Sequence, residues 1–337
     1  MKRRPTSSPV LYLLNSYNSA IGLYLVLRLL FGSRWWWLGL LHTFAFWLFV
    51  PLLIIGLLAL VLRAKRTAAI ALLLFAAGMI RFAPLPTGII TASDEAHDLR
   101  VLTFNVWNKN PQIAESMDWV LAQDADVIIL QEMVDAHLEQ LPRLLEVYPY
   151  QEFVEGSVQI LSRYPFLEEA VIGIEDADTA WDGRLAVRTV IDIDGQAVTV
   201  YGVHLSLPRK QTPHLNILSG IDELDFILHY DETHRNRQIR NLAEQVQSET
   251  NPVIIAGDFN TSHTSPILNN LTAIGMRDAF SILATDWGMT WSHNPPALPL
   301  IRIDYVWSSS GLRPLRLQRG GFIGSDHLPL VVDFKFD

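Results

Sequence analysis

Val253-Ile254-Ile255-Ala256-Gly257-Asp258-Phe259-Asn260 joins an apolar run, the mark of a buried strand, to an acid and an amide two positions apart. If the chain stays extended, Asp258 and Asn260 point the same way. The plain alternative is an Asx turn closing the strand. The same punctuation recurs along the last two thirds of the chain. Residues 100–105 alternate as a strand that ends in Asn105, and the buried strand 127–130 stops just before Glu132. His204 follows the run 197–203, Asp304 begins the run 303–307, and Ser325-Asp326-His327 precedes the run 330–336. A polar side chain just past a buried strand is held rigidly at the rim of a sheet, where substrate can reach it.

Further strands are expected at 159–161 and 186–193, the latter turning at Asp194-Gly195 into 197–203 as a hairpin. Residues 111–123 place Ile113, Met117, Val120 and Leu121 on one helical face; 233–248 form an amphipathic helix, and 207–231 a long insertion before it. No internal repeat or low-complexity tract interrupts this pattern. Strands mixed with helices over about 239 residues from Leu99 onward fit one large α/β domain.

The beginning of the chain is different. Half of the 337 residues are hydrophobic, more than a soluble domain needs, and the excess lies before residue 83. Residues 35–62 carry no Asp, Glu, Lys or Arg and exceed the roughly 20 residues that cross a bilayer as a helix. The segments 10–31, interrupted by Asn15-Ser16-Tyr17-Asn18-Ser19 and Arg28, and 67–82 are further expected spans. A cleaved signal peptide is the alternative for residues 1–31, but the polar interruption and the apolar segments behind it favour retained spans, three ahead of two. A membrane region is thus expected at 1–82, a Pro-, Gly- and Ser-containing linker at 83–98 and the α/β domain at 99–337.

Lys2, Arg3 and Arg4 precede the first segment, and Arg63, Lys65 and Arg66 separate the second from the third. Cations collect on the cytoplasmic side, so three spans place the α/β domain outside the cytoplasm, on the extracytoplasmic face of the plasma (inner) membrane. With two spans it lies inside. The absence of cysteine gives no disulfide evidence for either compartment.

Of 26 Lys and Arg, 9 precede residue 99, leaving 17; of 35 Asp and Glu, 3 do, leaving 32, so the α/β domain carries about −15. Long nucleic acid draws most of its affinity from cations that neutralise phosphates, and this balance disfavours it as a partner. Arg235-Asn236-Arg237 with Arg240 is the one notable basic cluster, and its helical spacing fits a solvated face better than a groove.

Seven motifs carry a resemblance. Thr103-Phe104-Asn105, Leu130-Gln131-Glu132, Ile160-Leu161-Ser162-Arg163-Tyr164-Pro165, Gly202-Val203-His204-Leu205, Gly257-Asp258-Phe259-Asn260, Arg302-Ile303-Asp304-Tyr305 and Ser325-Asp326-His327 occur in the order of the endonuclease/exonuclease/phosphatase superfamily. Each motif alone is weak. The group includes deoxyribonucleases, apurinic endonucleases, inositol polyphosphate 5-phosphatases and neutral sphingomyelinases, and residues 99–336 resemble its catalytic domain. The resemblance implies a four-layer α/β sandwich with two mostly antiparallel sheets flanked by helices, and a site at one rim.

It also implies a magnesium-dependent phosphoester hydrolase, with manganese as the alternative ion. Glu132, with Asn105 and Asp326 near it, would hold the metal, since magnesium prefers a few oxygen ligands plus water and phosphate. Asp258 and Asn260 would hold the attacking water and a phosphate oxygen. His327, oriented by Asp304, would contact phosphate or accept the water's proton, and His204 would stabilise charge or protonate the leaving oxygen. Arg184 resembles a phosphate-contacting arginine, a task that suits its planar fork. His263 and His293 read as surface residues, and Trp181, Trp287 and Trp291 as loop residues that cap the core.

One departure narrows the function. Val106-Trp107 follows Asn105, so the acid that apurinic endonucleases carry two positions after this asparagine is missing, and abasic-site repair is disfavoured. A membrane-tethered enzyme acting on a phosphodiester or phosphomonoester, with a phospholipid headgroup as candidate substrate, is the leading expectation. An extracytoplasmic nuclease and a non-catalytic protein that binds phospholipid headgroups are the alternatives. No protein partner is legible.

Overall fold

The computed structural model describes residues 9–83, 95–153, 157–168, 171–172, 186–210, 226–283 and 286–337. The chain divides into two compact units, Met1–Ala83 with Thr264–Pro266, and Pro84–His263 with Ile267–Asp337.

The first unit holds helices α1 (Pro9–Phe31), α2 (Trp36–Thr43), α3 (Ala45–Val61) and α4 (Lys65–Phe82). Within the expected span 35–62 the helix is not continuous: α2 and α3 meet at an angle of 66°. Phe44, at φ −106° and ψ 20°, leaves helical geometry between them and breaks the rod. By length and apolarity α1 qualifies alone as a membrane-crossing helix, and α2 with α3 qualifies as a bent pair. Lys65, Arg66 and Arg81 all lie within the 18 residues of α4.

The polar interruption of α1 has partners inside this unit. Tyr17 donates its hydroxyl to the Leu48 carbonyl (2.9 Å), Asn18 its amide to the Thr67 carbonyl (3.2 Å), and Thr67 its hydroxyl to Asn15 Oδ1 (3.0 Å). Such pairs satisfy donors that are costly to leave open in an apolar surrounding. Leu13, Leu29, Ile54, Val61, Leu73 and Ile80 are exposed.

The second unit is built on two six-stranded sheets. One runs β11 (Leu312–Arg319), β12 (Leu330–Phe336), β1 (Leu99–Asn105), β2 (Val127–Gln131), β4 (Val158–Ser162), β3 (Tyr150–Phe153). The other runs β5 (Val171–Ile172), β6 (Ala186–Ile193), β7 (Gln196–His204), β8 (Val253–Asp258), β10 (Asp304–Ser308), β9 (Arg277–Asp278). Each contains one parallel pair, β1 with β2 and β7 with β8, among antiparallel neighbours. In each parallel pair a helix intervenes in the chain, α5 (Ile113–Ala122) between β1 and β2 and α8 (Thr233–Gln247) between β7 and β8, with the short helices α6 (Asp135–Leu138) and α7 (Leu141–Leu145) between β2 and β3.

Alternation of side chains along each strand explains the layers. Val101, Ile129, Ile160, Val187, Val198, Val200, Ile254, Val306 and Val332 fill the space between the sheets. The opposite face of the first sheet, with Leu102, Phe104, Ile128 and Leu130, packs on Met117 and Val120 of α5. Tyr201, Val203, Ile255, Tyr305 and Trp307 do the same against Ile239, Leu242 and Val246 of α8. The result is the expected four-layer sandwich. Burying one such aliphatic side chain contributes roughly 1.5–3 kcal/mol, whereas an exposed pair such as Arg143–Asp118 belongs to a class worth about 0–1 kcal/mol. Layer packing therefore holds the domain.

Strands β6 and β12 match their expected limits, and Asp194 (φ 52°) with Gly195 (φ 91°) forms the expected hairpin turn. Strands β3, β5, β9 and β11 were not legible. Strand β3 (Tyr-Gln-Glu-Phe) lies at a sheet edge, and β11 carries Pro314 at a register shift against β12. Edge positions and bulges tolerate such residues, and they mask the strand pattern.

Gly257 of β8 pairs with Val203 of β7. Its φ is 144°, and a Cβ there would lie 1.9 Å from the Val203 carbonyl oxygen of the neighbouring strand. Gly257→Ala is expected to lower stability by about 2–4 kcal/mol, combining backbone strain with overpacking, while Gly195→Ala, facing open space at a positive φ, costs about 1 kcal/mol. Urea unfolding of the two variants in detergent checks this order, and equal losses would contradict it.

Candidate functional site

Strand register brings the polar ends together. His204 pairs with Asp258 across β7 and β8, Asp304 pairs with Asp258 across β8 and β10, and Asn105 pairs with Gln131, next to Glu132. Asp258 therefore stands between His204 and Asp304 at one level of the second sheet. The Asn105 amide nitrogen bridges the two sheets by donating to Glu132 Oε1 and to Asp258 Oδ2, both at 3.1 Å. Trp107, Glu132 and Asn260, at φ 59°, 61° and 47°, are three of the non-glycine residues held in left-handed conformation around this rim. Such strain persists only where the surroundings over-determine it.

His327 is buried between carboxylates. Its Nδ1 lies 2.9 and 3.1 Å from the two oxygens of Asp304, and its Nε2 lies 3.8 Å from Asp258 Oδ2 and 4.0 Å from Asp326 Oδ1. His204 Nε2 lies 3.7 Å from Glu132 Oε1 and 3.8 Å from Asp258 Oδ2. Imidazoles thus alternate with acids. Burial pushes the Asp258 carboxyl up to about 7, against the opposing pull of His327. Burial pulls His327 down, but the charges of Asp304, Asp258 and Asp326 prevail and raise it to about 10. Burial lowers the pKa of His204 and raises that of Asp326, with Glu132 adding to the latter.

The environments of neighbouring groups push their proton affinities apart, which is how a site assigns acid and base. Asp258 is the group suited to accept a proton near neutral pH. His327 is suited to remain an imidazolium, and His204 to remain neutral.

Supporting contacts come from residues whose sequence context assigned them no role in the site. Thr290 Oγ1 accepts from the backbone N–H groups of Ile303 and Asp304 (3.1 and 3.2 Å). Ser325 donates its hydroxyl to the Asn105 carbonyl (2.7 Å) and accepts from the His327 N–H (3.0 Å). Trp291, expected to cap the core, donates its indole N–H to Asp326 Oδ2 at 3.1 Å. The reading of Arg235 as part of a solvated face is corrected: it is buried against Glu232 and donates to the Asn260 carbonyl. Helical spacing alone could not separate the buried arginine from its exposed neighbour Arg240. Trp287 and His293 are exposed, and His263 is half-buried. Arg184 and Trp181 lie outside the described residues.

Whether these residues fit a divalent cation can be judged from their atoms. Asp326 Oδ1 and His204 Nδ1 are buried without hydrogen-bond partners. Glu132 and Asp326, with side chains 21% and 18% exposed, are hard oxygen donors open to water and substrate, as magnesium requires. Ligating atoms of Asp258, Asp304 and His327 also approach within 4.8 Å of one another. Both oxygens of Asp304 already face His327 Nδ1, however, and all three side chains are buried, which leaves little room for metal-bound water. The Glu132 and Asp326 pair fits better. Asn105 turns its amide nitrogen toward Glu132 while its Oδ1 accepts from the Trp107 N–H (3.0 Å), so as oriented it aligns the acids rather than offering oxygen.

With this geometry in view, the likenesses to known proteins have a physical footing. The chain is 28% identical over 275 residues to the uncharacterized protein YbhP of Escherichia coli strain K12, covering 69% of this chain and 95% of that one. It shares its fold with an endonuclease/exonuclease/phosphatase from Bacteroides vulgatus (TM-score 0.56, 16% identity, 71% of this chain and 99% of the other). It does so equally with a humanized D. rerio TDP2 (TM-score 0.54, 18% identity, 70% and 98%) and with the human Nocturnin catalytic domain with bound sulfate anion (TM-score 0.51, 19% identity, 71% and 93%). Residues 102–327 match the sequence profile of the Endonuclease/Exonuclease/phosphatase family, and the chain belongs to that family.

Proposed function

We propose that this chain is a membrane-anchored, divalent-metal-dependent phosphoesterase that hydrolyses a phosphodiester or phosphomonoester by in-line attack of water. The observation that carries this is the meeting of Asp258, His204 and the His327–Asp304 pair beside Glu132 and Asp326. Glu132 and Asp326 would hold the ion, with Asn105 aligning Glu132 through its amide; magnesium is proposed, with manganese as the alternative. When bound, it supplies charge neutralisation to a phosphate oxygen.

The chain's own groups account for the proton movements. Asp258 accepts the proton of the attacking water, and Asn260, whose backbone N–H donates to Asp258 Oδ1 at 2.8 Å, fixes the acceptor's direction. His327, kept charged by Asp304, donates its Nε2–H to a phosphate oxygen, where negative charge grows in the transition state. Neutral His204 orients the same phosphate or supplies a hydrogen bond to the leaving oxygen. Arg184 is retained as a proposed phosphate contact.

A phospholipid headgroup ester is the proposed substrate class, because the exposed apolar side chains of α1, α3 and α4 suit a bilayer. The charge of about −15 in residues 99–337 disfavours long nucleic acid. If α4 crosses as a third span, the cation asymmetry favours the extracytoplasmic side of the plasma (inner) membrane for the domain.

Asp258→Ala or His327→Ala is expected to lower kcat toward a generic phosphodiester by about 10²–10⁴-fold with the fold retained by circular dichroism. The full chain in detergent should lose activity with chelator and regain it with magnesium; full activity in chelator would contradict the metal assignment. A parallel panel of sphingomyelin, an inositol phosphate and DNA locates the substrate class.

The pH dependence of stability follows from the same groups. In chelator, folded Asp258 keeps its proton to about pH 7, whereas the group's ordinary value is 3.8. The folded chain then binds more protons than the unfolded one across that interval, so stability falls as pH rises through it. The contribution of His327 is complete below its ordinary 6.5 and is lost as pH rises through about 10. The thermal midpoint of the chelated protein should drop between pH 5 and 7 (Asp258 titrating, about 7), and Asp258→Asn should flatten that drop. A rising wild-type profile would contradict the assignment.

Anchoring has its own check. The full chain should stay with the membrane fraction through alkaline carbonate extraction, and externally added protease should degrade the α/β domain in intact spheroplasts. Release by carbonate would rule out a span; protection from protease would place the domain inside.

A further inference from the structure

The interior of the second unit contains one arginine among its largest fully buried side chains, Arg235, 1% exposed, on the inner face of α8. Arginine is almost never buried to this degree without dedicated partners. Its Nη2 donates to Glu232 Oε1 at 2.7 Å, and its Nη1 donates to the backbone carbonyl of Asn260. Glu232 Oε1 also accepts the Tyr230 hydroxyl at 2.7 Å. One turn along the helix, buried Gln238 accepts the Ser206 N–H at its Oε1 (3.0 Å) and donates from Nε2 to the Ser206 hydroxyl (3.1 Å). Asn260 closes the circuit by donating its amide to the Leu205 carbonyl at 2.8 Å.

We propose that Arg235 and Gln238 form a brace that sets the loops after β7 and β8, and that Arg235 is a positioning residue for Asp258 and Asn260. The loops it holds begin at His204 and Asp258, the two strand ends on which the site is built. Asn260 sits at a φ of 47°, a conformation that needs external support, and the arginine hydrogen bond is applied to that residue's own carbonyl. A planar guanidinium can serve the Glu232 carboxylate and the Asn260 carbonyl at once in fixed directions, which the single ammonium of lysine cannot do.

A purely stabilising ion pair is the competing explanation, and the two differ in what apolar replacement does. Exchanging a buried pair for apolar residues of similar volume is often neutral for stability, because both charges leave together. Glu232→Met/Arg235→Met therefore removes the brace and leaves no buried charge unpaired.

The proposal rests on the hydrolytic reading above, and the experiment separates the two. The full chain in detergent is assayed on bis(p-nitrophenyl) phosphate with magnesium, and amide hydrogen exchange is followed in parallel without substrate. In the double variant the thermal midpoint should stay near wild type, kcat should fall by about 10²-fold as expected for a misplaced group, and KM should change little. Exchange should quicken in the peptide spanning 257–261 and not in β1 or β12. Should the double variant fail to fold, Arg235→Lys, which keeps the charge opposite Glu232, carries the same expectation for kcat and exchange. Unchanged kcat or unchanged exchange at 257–261 overturns the brace. If the wild type itself hydrolyses nothing, the hydrolytic reading fails, and the exchange result still decides whether Arg235 holds the Asn260 loop.

Discussion

The alignment of His204, Asp258 and Asp304 at one level across three neighbouring strands is the constraint from which the rest of the site follows. A one-residue slip of β8 against either neighbour would turn Asp258 to the opposite face of the sheet. The register is held by the buried faces on both sides of that sheet and by the glycine that lets β7 and β8 approach at Val203. Packing energy spent on layer contacts thus becomes precision at the rim.

Electrostatics works in the opposite direction from packing. Placing Asp258, Asp304, Asp326 and two imidazoles in one pocket costs stability, since buried charges lose water. The cost is partly offset by the pairing of His327 with Asp304 and by the Asn105 amide spanning Glu132 and Asp258. Asp326 Oδ1 and His204 Nδ1 are left buried without a hydrogen-bond partner. Natural proteins break local rules of this kind at functional sites, and here the breaks coincide with left-handed Glu132 and Asn260.

Much of this was legible in the sequence because the site residues follow long apolar strands. Asn105, Glu132, His204 and Asp258 each stand at the end of a run whose burial is near complete. Other features depend on partners distant in the chain. Glu232 three positions away reads as an ordinary surface partner, and the second acceptor of Arg235, Asn260, lies 25 positions away, so its burial is not marked locally. Trp291 reaches Asp326 over a separation of 35. The bend at Phe44 was hidden because the run around it is apolar apart from His42 and Thr43, and such a run does not reveal where a helix breaks. Edge strands β3 and β11 escaped because one face of each is not required to be apolar.

Diffraction from crystals of the full chain soaked in manganese, recorded at the manganese absorption edge, tests the central claim most directly. The account predicts an anomalous peak in direct contact with carboxylate oxygens of both Glu132 and Asp326, with His327 still paired to Asp304. A peak enclosed instead by Asp258, Asp304 and His327, or no peak in the pocket at saturating ion, would contradict it.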